Sequence, residues 1–269
     1  MKLVLISAAM ALVATSAYAA DAVVVEDVAV IAPDTFSWTG GYVGINAGYA
    51  GGKFKTDFDN FTPLPTAEVV ALRAPVYPFD LDGSSEDNAN GFVGGVQAGY
   101  NWQFSNGFVI GAEADFQGST LKSKITGSDG DDITSVYSEI KTKVDWWGTV
   151  RGRIGYAATE RFLVYGTGGL AYGKVKTSYR FGVAVNGEED FATGFSTSKT
   201  KAGWTIGGGA EYAITNNWTL KSEYLYTDLG KSKDRATLVD FNGGGFGPSG
   251  DVSSSVKFHT VRLGLNYKF

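Results

Sequence analysis

The sequence predicts an all-β chain: an eight-stranded antiparallel transmembrane β-barrel, with short turns at one rim and four long loops at the other. Three observations predict it. Eight segments alternate apolar and polar residues with period two, which is the signature of a strand with two different environments on its faces. The spacers between those segments alternate between a few residues and several tens. Aromatic residues collect at both ends of the apolar face, with aliphatic and small residues between them.

The first segment is "YVGINAGY", in which Val43, Ile45, Ala47 and Tyr49 share one face. The second, "FVGGVQAGYNWQF", sets Phe92, Val96, Ala98, Tyr100, Trp102 and Phe104 against Gly95, Gln97, Gly99, Asn101 and Gln103. The third, "FVIGAEADFQ", opposes Phe108, Ile110, Ala112, Ala114 and Phe116 to Glu113, Asp115 and Gln117. In the fourth, "VDWWGTVRGRIGY", Trp146, Val150, Ile154 and Tyr156 face away from Asp145, Thr149, Arg151 and Arg153. The fifth, "RFLVYGTGGLAYG", admits two registers; the set Phe162, Val164, Leu170 and Tyr172 is favoured over Leu163, Tyr165 and Ala171. The sixth and seventh put Trp204, Ile206, Ala210 and Tyr212 opposite Glu211, and Trp218, Leu220, Tyr224 and Tyr226 opposite Lys221 and Glu223. In the last, "HTVRLGLNYKF", Val261, Leu263, Leu265, Tyr267 and Phe269 oppose Arg262.

Short connections fall around Ser105 to Gly107, Ala158, and Thr215 to Asn217. The spacers at about Gly52 to Asn90, Gly118 to Lys143, Lys176 to Lys201 and Leu229 to Ser255 are long and polar, and read as loops. That sorting, with an even strand number, belongs to barrels that cross an outer membrane. The two aromatic bands fit the girdles at its interfaces.

The non-apolar face then lines the lumen. It collects Glu113, Asp115, Glu211 and Glu223 with Arg151, Arg153, Lys221 and Arg262, four carboxylates and four cations. An arginine or lysine turned to lipid at mid-bilayer costs roughly 2–4 kcal/mol, so the parity is strongly determined. Eight strands enclose a space about filled by side chains. The balanced set therefore reads as a buried ion-pair plug rather than an ion relay. Interior Gly44, Gly48, Gly95, Gly99, Gly207 and Gly209 are expected to leave room for the arginines.

The chain begins "MKLVLISAAMALVATSAYAA", with a lysine, an apolar run and a small-residue pattern that read as a secretory signal over residues 1–20, cleaved at Ala19 or Ala20. Residues 21–37 read as a mobile periplasmic leader and 38–269 as the barrel.

Composition excludes several other readings. Glycine occurs 37 times and proline 6, against a collagen or a disordered chain. There is no cysteine, which removes disulfides, thiolate metal sites and cysteine nucleophiles. A net charge of -5 leaves no basic footprint for nucleic acid. "GTGGLA" at Gly166 to Ala171 fits a dinucleotide fingerprint in spelling, but strand continues where a helix should open. The acidic runs at Asp80, Asp82, Glu86 and Asp87, and at Asp129, Asp131 and Asp132, lack EF-hand spacing. The sequons at Asn60 and Asn217 read as chance matches. His259 is the one imidazole, and no serine shares its face convincingly, so no catalytic residue, metal site or cofactor is expected.

Taken together, "SWTGGYVGINAGYAGG", "GFVGGVQAGYNWQF", "WWGTVRGRIGYA", "LVYGTGGLAYG", "AGWTIGGGAEYAI" and "VRLGLNYKF" resemble the small alphaproteobacterial outer-membrane β-barrel proteins, over most of residues 38–269 outside the loops. The family includes major surface antigens and some haemin-binding members. The resemblance implies an integral outer-membrane protein with a role in envelope integrity and in host or environment contact. Its expected partners are outer-membrane lipid, lipopolysaccharide and, during biogenesis, the barrel-assembly machinery. Loop cations Lys53, Lys55, Lys122, Lys124, Lys174, Lys176, Lys231 and Lys233 are candidates for lipopolysaccharide phosphates. Two alternatives accompany this reading. One is a haemin-binding surface protein, or one that binds a host surface, with Tyr137, Tyr179 or His259 as iron ligands. The other is a porin-like channel for small solutes.

The amphipathic last strand with its terminal aromatic also resembles the signal that the assembly machinery reads, carried here by Tyr267 and Phe269. Deleting Phe269 is expected to reduce the amount of folded protein in outer-membrane fractions more than Lys268→Ala does. Equal insertion of the two variants would refute the assignment.

Overall fold

The computed structural model describes residues 35–62, 83–130, 134–185, 188–237 and 249–269. The signal with Ala19 and Ala20, and residues 21–34 of the leader, lie outside them. Among the described residues, nine strands form one closed antiparallel sheet: β1 (Gly40–Thr62), β2 (Gly83–Gln103), β3 (Phe108–Ser119), β4 (Lys122–Gly130), β5 (Thr134–Thr159), β6 (Phe162–Val185), β7 (Glu188–Ala213), β8 (Trp218–Thr237) and β9 (Ser249–Lys268). Strands β3 and β4 both pair with β2 on one side and β5 on the other. They are therefore two stretches of one wall, interrupted at Thr120 and Leu121, and the barrel has eight walls. Closure comes from β1, which pairs with β2 and with β9; Val43 faces both Ala98 and Tyr267.

The turn rim is tight. Gly107 takes a φ of +85°, which favours glycine, and its N–H donates to the Phe104 carbonyl at 3.0 Å. At the next turn but one, the Thr215 hydroxyl accepts from Trp218 N at 3.0 Å. The C-terminus is tied down on both sides: Lys268 N donates to Asn217 O at 2.7 Å, and Phe269 N to Gly41 O at 3.0 Å.

The lipid-facing set is the predicted one, including Val164, Leu170 and Tyr172 of the fifth segment, which point outward while Leu163, Tyr165 and Ala171 are buried. Neighbouring girdle rings touch. At the turn rim, Phe108 lies 5.6 Å from Tyr156 and Trp218 5.1 Å from Tyr267. At the loop rim, Tyr49 lies 5.4 Å from Phe92 and Trp204 5.4 Å from Tyr226.

The long spacers are where the structure departs from the sequence reading. A membrane crossing needs about 9–11 strand residues, yet β1 has 23, β5 and β7 have 26 each, and β6 has 24. Most of what reads as loop is strand that continues past the loop-side girdle. β6 and β7 pair from Phe162 with Tyr212 up to Val185 with Glu188. The physical reason is an inversion of polarity. Within the bilayer the exterior is hydrocarbon, so apolar residues point out. Above it the exterior is water, so Lys53, Lys55, Lys122, Lys124 and Lys176 point out while Phe54, Val144, Trp147, Val175, Leu229, Val256 and Phe258 point in. These interior residues form an apolar plug, with Trp147 and Phe258 in edge contact at 4.9 Å. Period two persists, but its sense reverses.

Two irregularities sit at that crossover. Asp145 is the extra residue of a bulge between Val144 and Trp146, so it turns outward instead of joining the lumen face. A second register shift falls between Asp228 and Lys231, where Gly230 takes a φ of +73°. At the turn rim the barrel starts at Phe36, not Trp38: Phe36 and Trp38 are buried with Val109, Leu163, Tyr165 and Ala213 in a second apolar cluster. The final residues of the leader thus pack into the barrel floor. Trp38 N donates to Gln103 Oε1 at 2.8 Å, and Gln103 N to Thr39 Oγ1 at 2.9 Å.

Trp147→Ala is expected to lower stability by about 3–5 kcal/mol, the usual cost of hollowing a packed core at a large aromatic. Val150→Ala, on the lipid face where acyl chains refill the space, is expected to cost far less. The urea midpoint for loss of the compact, heat-modifiable gel band measures both.

Candidate functional site

Between the two plugs lies the charged layer. Each member occupies a lumen-parity position: Glu113 and Asp115 on β3, Arg151 and Arg153 on β5, Glu211 on β7, Lys221 and Glu223 on β8, and Arg262 on β9. All eight are buried. Three opposite charges are direct cross-strand neighbours: Glu113 with Arg151, Glu211 with Lys221 and Glu223 with Arg262.

Glu113 is the hub. Its carboxylate accepts from Arg151 Nη2, from Lys221 Nζ at 2.9 and 3.0 Å, and from Tyr42 Oη at 2.6 Å. Arg153 and Arg262 stand 3.5 and 3.7 Å away from it. Arg262 is shared between Glu223, through Nε at 2.8 Å, and Asp115 Oδ2 at 2.7 Å. Arg151 also donates to Asp115 Oδ2 at 3.0 Å. Arg153 reaches the remaining acid, with Nη2 2.9 Å from Glu211 Oε2.

Several uncharged residues complete the layer, and sequence reasoning had assigned them no role. Tyr42 bridges two charges: it donates to Glu113 and accepts from Arg153 Nη1 at 2.7 Å. Tyr165 donates to Glu223 at 2.9 Å, and its ring lies 3.9 Å beneath the Arg153 guanidinium, a cation–π contact. Glu211 accepts from Thr219 at 2.5 Å and Asn266 at 2.7 Å, and the chain continues through Gln97 to Asn46. The signal that finds them is their lumen parity. The interior glycines also have a different job from the one expected. A Cβ at Gly99 would stand 2.4 Å from the Tyr42 hydroxyl oxygen, and one at Gly209 2.7 Å from that of Tyr165. Backbone crowds the same positions, with the Ala112 carbonyl oxygen 2.7 Å from the first Cβ and the Ser222 carbonyl oxygen 2.4 Å from the second, so strand spacing and tyrosine together require glycine there. Of the six glycines, only Gly48 abuts an arginine side chain, that of Arg262.

Chemically, this arrangement holds charge in place. Removing an ion from water costs several kcal/mol, and geometry must return it through more than one partner; here Glu113, Glu211 and Glu223 each meet a cation and a hydroxyl or amide donor, and Asp115 meets two arginines through Oδ2 while its Oδ1 is buried without a hydrogen bond. Among the described residues no group of three or more histidine, aspartate or glutamate side chains is placed to hold a metal ion.

The three proposed iron ligands do not converge. Tyr179 is buried on the inner face opposite Ile140, whereas the Tyr137 ring lies against Gly182, two strand positions of opposite parity. His259 points outward on β9, where its Nδ1 is 2.6 Å from the Tyr224 hydroxyl and its ring is 5.1 Å from Tyr226. It is part of the loop-side aromatic belt. Tyr267 and Phe269 sit together in the turn-side girdle, ring centroids 5.5 Å apart.

The family model and the relatives similar in sequence agree with this architecture. The model of the outer membrane protein beta-barrel domain matches residues 5–269. The chain is 54% identical over 273 residues to the 31 kDa outer-membrane immunogenic protein of Brucella melitensis, with all of both chains covered. It is 37% identical over 190 residues to a 22 kDa outer membrane protein of Rhizobium leguminosarum, covering 70% of this chain and 71% of that one. Among solved structures, the outer membrane protease OmpT of Escherichia coli is aligned over 87% of this chain and 98% of its own, at 13% identity and a TM-score of 0.44.

If the layer acts as one unit, Glu223→Gln, which strips Arg262 and Arg151 of a shared partner, is expected to cost about 3–5 kcal/mol. Adding Arg262→Met to it is expected to restore part of that loss. A double-mutant cycle on urea midpoints reads the coupling; simple additivity would show that the pair is not coupled.

Proposed function

The chain belongs to the outer membrane protein beta-barrel family, and from that premise we propose that it serves as a sealed, non-enzymatic anchor that braces the outer membrane and presents its surface to host or environment. It is a surface-exposed protein of the outer membrane. The observation that supports the sealed reading is the stacking inside the barrel: the apolar floor around Trp38 and Leu163, the ionic layer around Glu113, and the apolar plug around Trp147 and Phe258. A hydrated path for solutes would have to break two apolar cores and a charge-balanced network. With the lumen filled, what the molecule can offer a partner lies on its outside.

Purified, refolded full-length protein is expected to insert into planar bilayers without stepwise conductance. Trp147→Ala is expected to stay silent as well, because the ionic layer beneath it is untouched. Reproducible unitary steps from the unsubstituted protein would overturn the sealed reading and favour a porin-like one.

A further inference from the structure

The outward cations above the girdle are matched by acids in some places and not in others. Lys124 and Lys141 face each other across β4 and β5, and both pair with Glu139, whose carboxyl they hold down at about pKa 2. Lys257 has Asp228 at 3.3 Å. One rung closer to the membrane, Lys122 faces Lys143, and Lys143 faces Lys176. These three exposed lysines are consecutive cross-strand neighbours, and none has an ion-pair partner among the described residues. Like charges directly opposite on adjacent strands repel. Asp145, bulged outward from β5, makes no ion pair with them at 4 Å.

What lies beneath the rung decides what can neutralise it. Phe116 stacks on Trp146 at 5.4 Å, and Trp146 meets Tyr172 edge-on at 6.2 Å, on the same three walls. From Tyr172 to Lys176 is four residues, so at ~3.3 Å per residue and a ~40° tilt the lysines stand roughly 10 Å above those rings. That is headgroup depth, with flexible stems to span the difference. Below the same rings, a 690 Å³ mostly apolar groove opens beside Phe116 and Tyr172 and crosses the lipid faces of β3, β2 and β1, past Ala98 and Ile45, to Trp218 and Tyr267 at the turn rim.

The geometry points to a binding site for a phosphorylated glycolipid of the outer leaflet: its phosphates lie on Lys122, Lys143 and Lys176, and its acyl chains in the groove below Phe116 and Tyr172. The assignment rests on the bilayer placement of the girdles, not on the sealed lumen. A phosphate set between three lysines converts mutual repulsion into attraction, and the groove supplies apolar contact that a soluble anion cannot use.

The test uses the refolded full-length protein in detergent, titrated with diphosphoryl lipid A, dephosphorylated lipid A and inorganic phosphate, with bound lipid counted by native mass spectrometry. K122Q/K143Q/K176Q is compared with R180Q/K199Q/K257Q, which removes the same charge from exposed positions on β6, β7 and β9, and heat-modifiable migration confirms that both are folded. The expected result is a loss on the order of 100-fold for diphosphoryl lipid A in the first variant alone, with weak binding of the dephosphorylated lipid and of phosphate. An equal loss in both variants would reduce the effect to overall charge. Unchanged binding in the first variant, or phosphate binding as tight as the lipid, would overturn the site. Single K143Q, expected to weaken binding severalfold, keeps the test open should the triple variant fold poorly.

Discussion

Charge placed inside a cylinder that runs through hydrocarbon restricts every strand at once. The layer around Glu113 takes side chains from all eight walls: Tyr42 and Asn46 from β1, Gln97 from β2, Glu113 and Asp115 from β3, and the rest from β5 to β9. Because side chains alternate strictly, sliding any wall by one residue would send its buried charges outward and its aliphatic residues inward. Each lysine or arginine so exposed costs roughly 2–4 kcal/mol at mid-bilayer, before the partners left unpaired are counted. The ion network therefore acts mainly on specificity. Paired charge is no more stabilising than a well-packed apolar filling, but it makes the wrong registers expensive.

The same alternation serves a different solvent a few residues higher. Along β1, Tyr49 and Phe54 are both aromatic, yet the first is exposed and the second buried, five residues apart and of opposite parity. Nothing in the backbone pairing changes between them, since β1 stays in register with β9 from Tyr42 to Asp59. What changes is the medium outside. One continuous sheet is thus two physical objects: a barrel with a polar heart in lipid, and above it an ordinary water-soluble barrel with a hydrophobic core. The bulge at Asp145 and the shift at Gly230 fall where one becomes the other.

This switch also explains what could be read from the residues and what could not. Strand faces within the bilayer were legible because lipid enforces a sharp contrast: Val150, Ile154 and Leu263 on one side, Arg151, Arg153 and Arg262 on the other. The membership of the charged layer followed from parity alone. Strand above the bilayer was not legible, since Lys, Ser and Thr on its outer face give it the composition of a loop. Asp145 was misplaced because a single inserted residue resets parity without a local signature. Trp38 looked like the start of a barrel and Phe36 like its leader, although both bury against Leu163 and Val109. The tyrosines of the charged layer were hidden for another reason. Tyr42 and Tyr165 are amphipathic, and only the geometry shows their hydroxyls bonded to Glu113 and Glu223.

Two cores of opposite character, joined through the same strands, also determine how load passes through the molecule. The ionic layer resists slippage, because moving a wall separates partners held in several directions. The apolar plug resists opening, because Trp147 and Phe258 bring β5 and β9 together across the interior. A hairpin carried on this upper barrel starts from a fixed position well above the headgroups, and its orientation is inherited from strands pinned inside the bilayer. Contact with anything outside the cell is thereby transmitted to a rigid body. Charge on the outer wall, where acids balance some lysine rungs and leave one unbalanced, is then the variable that adapts this body to the lipid around it.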